Sequence, residues 1–278
     1  RVGGQTGRLR GEDLALGRPA LTAGRILTPA DLGLLASLGL PEVAVRRRLR
    51  VAFFSTGDEL RSVGEPLGPG QIYDSNRYTL WGMLHRLGVD VIEMGVVPDR
   101  PEALEAAVRT AAASADAIIS SGGVSVGEAD YTRAIMARLG DVAFWTIAMR
   151  PGRPPAFGRI GDAFYFGLPG NPVAVMITFY FFARDALLRM MGAAARPHLY
   201  LRATSAGALR KKPGRTEYQR ARLTVGEDGA RRVSALGTQG SGVLRSMSEA
   251  NCIVVLHHAQ GSVAPGEMVD CLPFDGLL

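Results

Sequence analysis

The sequence predicts an α/β protein with a mostly parallel sheet covered by helices on both faces, followed by a small C-terminal all-β, barrel-like domain. Three observations carry that expectation. From Val51 to about Gly192, apolar runs alternate with longer helical patterns, the rhythm of right-handed strand–helix–strand units. After Gly192 the runs shorten, alternate at period two and are parted by Pro213-Gly214, Glu227-Asp228-Gly229 and Pro265-Gly266. Ahead of Val51 stands one short helical unit, so the chain is expected to divide into 1–46, 47–192 and 193–278.

Thr28-Pro29-Ala30-Asp31 opens the first helix with a Thr cap, Pro at the first helical position and an acid three residues after the cap. Leu32, Leu34, Leu35 and Leu38 supply its apolar face, and Gly39 with Pro41 ends it. Arg46-Arg47-Arg48-Leu49-Arg50 then reads as a solvated linker. Strands are expected at 51–54, 89–95, 116–120, 142–148 and 163–167, and helices at 75–87, 101–113, 130–139 and 172–191. The segment 150–158, with three prolines and two arginines, breaks the rhythm. In the last domain, strands are expected at 199–204, 216–225, 231–236, 251–257 and 267–272.

Composition excludes several classes. Hydrophobic residues make up 47% of the 278, enough for a sizeable core, and the mean hydropathy is +0.10. The longest apolar run, Val173 to Leu188, is broken by Arg184 and Asp185, so no membrane span is expected. The net charge of +6 would suit a nucleic-acid partner, but all except two of the 32 basic residues are arginines scattered along the chain. That bias fits a GC-rich genome, and no nucleic acid is expected. The Arg210-Lys211-Lys212 run beside Pro213-Gly214 reads as surface. Cys252 and Cys271 form no C-x-x-C pair, and His85, His198, His257 and His258 lack ligand spacing with either, so zinc is not supported. With no secretory signal, reduced thiols and a cytoplasmic location are expected. The chain begins at Arg1 without Met and reads as a fragment in which no targeting peptide can be recognised.

The chemistry concentrates at three corners where a strand hands over to a helix. Ala117-Ile118-Ile119 runs into Ser120, Ser121, Gly122 and Gly123, with Gly127, Glu128 and Asp130 leading into the next helix. Val51 to Phe54 runs into Ser55-Thr56-Gly57-Asp58-Glu59. Phe164-Tyr165-Phe166 runs into Gly167-Leu168-Pro169-Gly170-Asn171-Pro172-Val173. Glycines at such corners let backbone N–H groups crowd an anion at a helix N-terminus. Paired acids there would repel a phosphate unless a divalent cation lies between them, although an acidic first turn also suits any helix. In open α/β sheets ligands bind beyond the carboxyl ends of the strands, so three such corners would line one crevice. No G-x-x-x-x-G-K-[ST] and no G-x-G-x-x-G after the first strand occurs, which argues against P-loop and dinucleotide sites.

Several strings, in order, resemble the MoeA family of molybdopterin molybdenumtransferases. They are Arg-Gly-Glu-Asp (10–13), Phe-Ser-Thr-Gly-Asp-Glu-Leu (54–60), Gly-Gln-Ile-Tyr-Asp-Ser-Asn (70–76), Ser-Ser-Gly-Gly-Val-Ser-Val-Gly-Glu-Ala-Asp-Tyr-Thr (120–132), Pro-Gly-Arg-Pro (151–154) and Gly-Leu-Pro-Gly-Asn-Pro-Val (167–173). The likeness extends into the β-rich tail through Asn251-Cys252 and so covers essentially the whole chain. It implies a MogA-like sheet domain that binds molybdopterin, a C-terminal β-domain, and remnants of an N-terminal lobed domain (1–13) and helical domain (14–46). The implied reaction inserts molybdenum from molybdate into adenylylated molybdopterin, with Mg²⁺ and release of AMP, in a homodimer that hands its product to other molybdenum cofactor proteins. A MogA-like molybdopterin adenylyltransferase and a non-catalytic scaffold with the pterin pocket are the alternatives. The β-domain and the Gly-Leu-Pro-Gly-Asn-Pro corner favour the transferase.

Carried onto this chain, the resemblance assigns catalytic roles to Glu59, Asp99, Asp130 and Arg150, and metal binding to Asp13, Glu59 and Asp130, with Asp58 and Glu128 as neighbours. It places the cofactor against Ser55, Thr56, Gly57 and Asp58, against Ser121, Gly122, Gly123, Ser125 and Gly127, and against Arg153, Pro169, Gly170, Asn171 and Pro172. Asp99 equally suits a helix N-cap ahead of Pro101. Arg150 and Arg153 stand where the family often has lysines and are the cationic partners for molybdate or the pterin phosphate. Arginine adds a planar fork to the charge. Thr146 replaces another family lysine and carries no charge. Trp81 and Trp145 are expected in the core.

Overall fold

The computed structural model describes residues 11–123, 129–152, 155–194 and 197–276, without the side chains of 129–131 and 276. The chain forms two compact units, Arg1–Arg47 with Leu188–Ala195, and Arg48–Leu187 with Arg196–Leu278. Among the described residues no helix is long and apolar enough to cross a membrane.

The first unit contains helix α1 (Pro29–Ser37). Its start is capped as the sequence predicts: the Asp31 carboxylate accepts from the Thr28 N–H and from the Thr28 hydroxyl, each at 2.8 Å. Arg25 pairs with the same carboxylate at 2.7 Å, and these bonds hold the Asp31 carboxyl at about 2. Of the predicted apolar face only Leu35 is buried, while Leu32 and Leu38 are exposed.

The second unit begins with β1 (Arg50–Thr56), a minor pair β2 (Leu60–Arg61) and β3 (Ile72–Tyr73), and α2 (Ser75–Leu87). It continues through β4 (Asp90–Val97), α3 (Pro101–Ser114), β5 (Ala117–Ser121), α4 (Ala129–Leu139), β6 (Gly140–Phe144), β7 (Met149–Arg150), β8 (Ala156–Ile160) and β9 (Ala163–Leu168). A last helical stretch comprises α5 (Pro172–Thr178), a π-helical turn (Phe179–Ala183) and α6 (Arg184–Met190). The sheet order is β4-β1-β5-β9-β8-β6. β4, β1, β5 and β9 run parallel, as expected, whereas β8 is antiparallel to both β9 and β6.

Alternation along β1 divides the core. Ala52 and Phe54 join Ile118 against Leu104, Val108 and Ala111 of α3 and Ile135 and Met136 of α4. Val51 and Phe53, also fully buried, point to the opposite face, where α2 packs against β1, β4 and α5.

The antiparallel strand β8 begins inside the proline-rich segment 150–158 that the sequence reading treats as a break. Two prolines lead into the strand, and Gly158 lies at its centre, so neither composition nor alternation marks it. The expected strand 142–148 is shorter and earlier, 140–144. The single expected helix 172–191 is interrupted by the π-turn. Both tryptophans are exposed rather than in the core, Trp81 beside His85 in a stacked pair and Trp145 in the loop after β6.

The C-terminal strands are β10 (Leu201–Ser205), β11 (Thr216–Val225) and β12 (Arg231–Ala235), then α7 (Arg245–Glu249), β13 (Cys252–Leu256) and β14 (Met268–Pro273). They run β12-β10-β14-β13-β11, and pairing of β11 with β12 closes the barrel. Its interior is filled by Ala203, Ala221, Val233, Val254, Leu256, Val269 and the two free thiols of Cys252 and Cys271. Lys211, expected at the surface, is buried, with its ammonium donating to the carbonyls of Gln260 at 2.6 Å and of His258 and Lys212 at 3.4 Å. Three carbonyl dipoles replace the water that a buried cation would lose.

β8 and β6 approach so closely at Gly158 that a side-chain carbon there would run into the Asp141 carbonyl and the Val142 backbone. Gly158→Ala should therefore destabilise the protein by about 1–3 kcal/mol, the range for forced overpacking. A lowered urea midpoint at unchanged denaturant slope is the expected result.

Candidate functional site

The three corners named from sequence leave the sheet side by side. Ser55 is in register with Ser121, and Ser121 with Leu168, so β1, β5 and β9 end at one edge. β1 leads outward to β4, whereas β4 leads back across β1 to β5. The chain thus changes direction between β1 and β5, where an open α/β sheet forms its binding crevice. Thr56 pairs with Val97 at the end of β4, so Asp99 leaves by the same edge. The Asp58 carboxylate accepts from the Asp99 N–H at 3.0 Å and joins these two loops. An open hollow of about 580 Å³ beside this edge is lined by Gly57, Asp58, Arg61, Arg77, Gly95 and Pro98.

The crevice floor is narrow. Gly122 and Gly123 have φ of +91° and +67°, and a Cβ on Gly122 would lie 2.5 Å from the Thr56 carbonyl oxygen. A Cβ on Gly123 would lie 2.9 Å from the Thr56 hydroxyl. Only glycine permits that approach. The third corner lies alongside, since a Cβ on Gly170 would stand at ordinary van der Waals distance, 3.7 Å, from the Gly122 Cα. Asn76, in the first turn of α2, joins two of the corners: its amide donates to the Ser121 hydroxyl at 2.9 Å and to the Gly170 carbonyl at 2.6 Å. Asp74 positions that turn by accepting from the Arg77 N–H at 3.1 Å. Behind the floor, Ser120 and Tyr165 share a 2.6 Å hydrogen bond, and burial pushes the Tyr165 phenol up to about 12. The buried side-chain oxygens of Ser55, Thr56 and Thr132 have no hydrogen-bond partner among the described residues.

Ser55, Thr56, Gly57, Asp58, Glu59, Asp99, Ser121, Gly122, Gly123, Pro169, Gly170, Asn171 and Pro172 therefore all lie at the strand ends or in the corners that follow them at this edge. Glu59 is exposed, and its carboxylate has no hydrogen-bond or ion-pair partner among the described residues. Asp99 is not the cap of α3; that position is Arg100, followed by Pro101. Asp13 lies in an exposed turn of the first unit. Ser125, Gly127, Glu128 and Arg153, and the side chain of Asp130, lie outside the described residues. Among the described residues no three His, Cys, Asp or Glu side chains group closely enough to hold a metal without further ligands.

Arg150 lies in a different cavity, of about 410 Å³, lined also by Pro151, Arg210, Glu217, Gln219 and Arg220. β7 carries it there by pairing in parallel with β11 of the barrel, placing Arg150 opposite Glu217. Arg220, absent from the residues chosen by sequence, is only 1% exposed. Its guanidinium donates to the Ser246 hydroxyl at 3.0 Å and to the carbonyls of Gly240 at 2.9 Å and Thr238 at 3.4 Å. Burial, and then the charge of Arg150, lowers its pKa to about 10, still charged at neutral pH. The loop that Arg220 holds reaches the third corner, where the Ser241 carbonyl accepts from the Val173 N–H at 3.0 Å. No local signal marked it: Arg220 alternates with the interior Ala221 and so leaves β11 on the barrel's outer face. Thr146 is exposed and outside the residues lining this cavity.

Comparison with known proteins agrees with this architecture. Residues 52–189 match the family described as a probable molybdopterin binding domain, and residues 202–274 match the MoeA C-terminal region, domain IV. A molybdopterin molybdenumtransferase of Haemophilus influenzae is 44% identical over 96% of this chain and 67% of its own length. One from Nostoc is 36% identical over 96% of this chain and 62% of its own. The crystal structure of a molybdopterin biosynthesis MoeA protein from Pyrococcus horikoshii superposes with a TM-score of 0.80 at 31% identity, covering 95% of this chain and 64% of that one. The chain thus spans about two thirds of the length of these relatives.

Asn76→Ala should remove both bridges between the corners. The loss expected is about 1–3 kcal/mol, because the buried Ser121 hydroxyl loses its donor and the Gly170 carbonyl its tie to α2. Amide hydrogen exchange should rise first at Gly122, Gly123 and Gly170.

Proposed function

Because the chain belongs to the MoeA family of molybdopterin molybdenumtransferases, we propose that it inserts molybdenum from molybdate into adenylylated molybdopterin and releases AMP. The observation that supports this most is the pairing of two anion-suited sites through one loop. The glycine corners converge at the sheet edge, while Arg150 and Arg220 line a cavity whose loop 238–241 reaches the Asn171-Pro172-Val173 corner. Transfer between two anionic reactants needs two such sites joined in one framework.

In this reading Gly122 and Gly123 receive the pterin phosphate, with Ser121, Ser125 and Gly127 completing that loop. Ser55, Thr56, Gly57 and Asp58 form the facing wall. Pro169, Gly170, Asn171 and Pro172 shape the third side, proline fixing φ and withholding a donor. Arg150 and Arg153 bind oxyanion oxygens with Arg220 behind them, by charge-assisted hydrogen bonds. Asp99 lines the edge beside Asp58. The hard oxygen donors assigned to Mg²⁺ are Glu59, Asp130 and Asp13; the unpartnered Glu59 carboxylate fits a cation that takes one or two carboxylates plus substrate oxygens. The chemistry Mg²⁺ supplies when bound is polarisation of the diphosphate and compensation of charge on leaving AMP. A homodimer, a cytoplasmic location, transfer of the product to other molybdenum cofactor proteins and the division at 46 and 192 belong to the same proposal.

AMP release from adenylylated molybdopterin, followed with and without molybdate, tests the reading directly; release independent of molybdate overturns it. Arg150→Ala should slow molybdate-dependent turnover roughly tenfold or more, matching about 1.5–3 kcal/mol for hydrogen bonds to charged groups. Arg150→Lys should recover part of the loss, and the exposed Arg231→Ala on β12 should match the parent. Asp130→Asn should fold normally and lose turnover across a magnesium titration; unchanged turnover removes Asp130 from the metal.

A further inference from the structure

The arginine cavity contains a carboxylate that its proposed task does not call for. Glu217 is 4% exposed, one of the few buried acids in the chain, and lines the same cavity as Arg150, Arg210 and Arg220. One of its oxygens lies 3.9 Å from the Arg150 guanidinium and 3.5 Å from that of Arg215, and the other 3.4 Å from the Gln219 amide. Arg150 is held against it by the β7–β11 register, which places the two residues directly opposite. Arg220 instead donates its hydrogen bonds to the Ser246 hydroxyl and the Thr238 and Gly240 carbonyls and has no acid as partner among them.

Resting on the reading of this cavity as the oxyanion site, we infer that Glu217 is a resident counter-ion that an arriving oxyanion replaces at Arg150. Its charge offsets the neighbouring guanidinium groups, Arg150 at 3.9 Å and Arg215 at 3.5 Å. An anion that enters gains Arg150 but meets the Glu217 charge a short distance away. The penalty grows in proportion to the charge of the anion. Glu217 therefore sets the strength of dianion binding: it keeps a cavity of three arginines from being filled by any abundant tetrahedral dianion, such as sulfate or hydrogen phosphate, and leaves a bound oxyanion free to depart toward the sheet edge.

The inference separates charge from mere packing, and a matched pair of probes reads it. Molybdate and perrhenate are both tetrahedral oxyanions, with charges of minus two and minus one. Calorimetric titration of the parent, Glu217→Gln and Glu217→Asp with each anion is the experiment. Glu217→Gln should bind perrhenate roughly three- to tenfold more tightly and molybdate by about the square of that factor, as the Coulomb dependence on charge requires. Glu217→Asp keeps the charge and should stay near the parent for both anions, which also guards against a misfolded Gln variant. Weaker or unchanged molybdate binding by a folded Glu217→Gln, or equal gains for both anions, overturns the counter-ion role. Arg150→Ala is titrated alongside: if the parent binds neither anion, or binds them as well without Arg150, the oxyanion reading of the cavity fails too and takes this inference with it.

Discussion

The constraint on which the site depends is the contact between the Gly122 backbone and the Thr56 carbonyl. Parallel pairing brings the ends of β1 and β5 into register, but the chain then has to turn away within two residues on each side. A side chain at Gly122 would hold the loops apart. With hydrogen atoms in place of side chains, the first and second corners close together and the third follows, because Gly170 lies against Gly122. Asn76 then holds what the glycines permit, using both hydrogens of one amide on two different loops. Glycine removes the steric obstacle and the amide supplies the directional bond; neither alone defines the crevice.

The barrel is tied to the sheet domain by backbone pairing and hydrogen bonds as well as by aromatic contacts such as Phe181 with Tyr218. β7 is only two residues long, yet it belongs to the barrel's sheet and brings Arg150 opposite Glu217. Arg220 gathers the 238–240 loop through carbonyl oxygens, and the next residue of that loop satisfies the Val173 N–H at the start of α5, one of the donors that a helix start leaves open. A residue suited to bind an oxyanion is thereby also part of the connection between the two substructures. Loss of Arg220 would leave buried carbonyls without their donor as well as removing charge.

Much of this was legible in the chain. Alternation and turn residues located the parallel strands and the five barrel strands to within a few residues, and the glycine corners marked the edge at which the three loops meet. Strand β8 was not legible because its alternation is blunted by Gly158 and its start by Pro154-Pro155. The exposed tryptophans and buried Lys211 reversed the expectation from residue type: a long lysine can be buried when three carbonyls converge on it, a fact of tertiary structure with no local signature. Arg220 and Asn76 failed to stand out for a related reason. Each acts through partners at least eighteen residues away, so its role exists only once the chain is folded.

The buried cations of the barrel show how different these solutions are. Lys211 is surrounded by carbonyls alone, which suits a compact ammonium with three donors and leaves no charge directed at solvent. Arg220 also takes carbonyls, but a guanidinium presents five N–H donors in a plane, more than its three recorded partners need. The surplus donor capacity and the undiminished positive charge lie at a cavity that Arg150 and Arg210 share. A residue placed only for stability would have been better served by the lysine arrangement, in which every donor is spent. An arginine with donor capacity to spare, in a cavity shared with Arg150, Arg210 and the Glu217 carboxylate, is the physical ground for the oxyanion role proposed for this cavity.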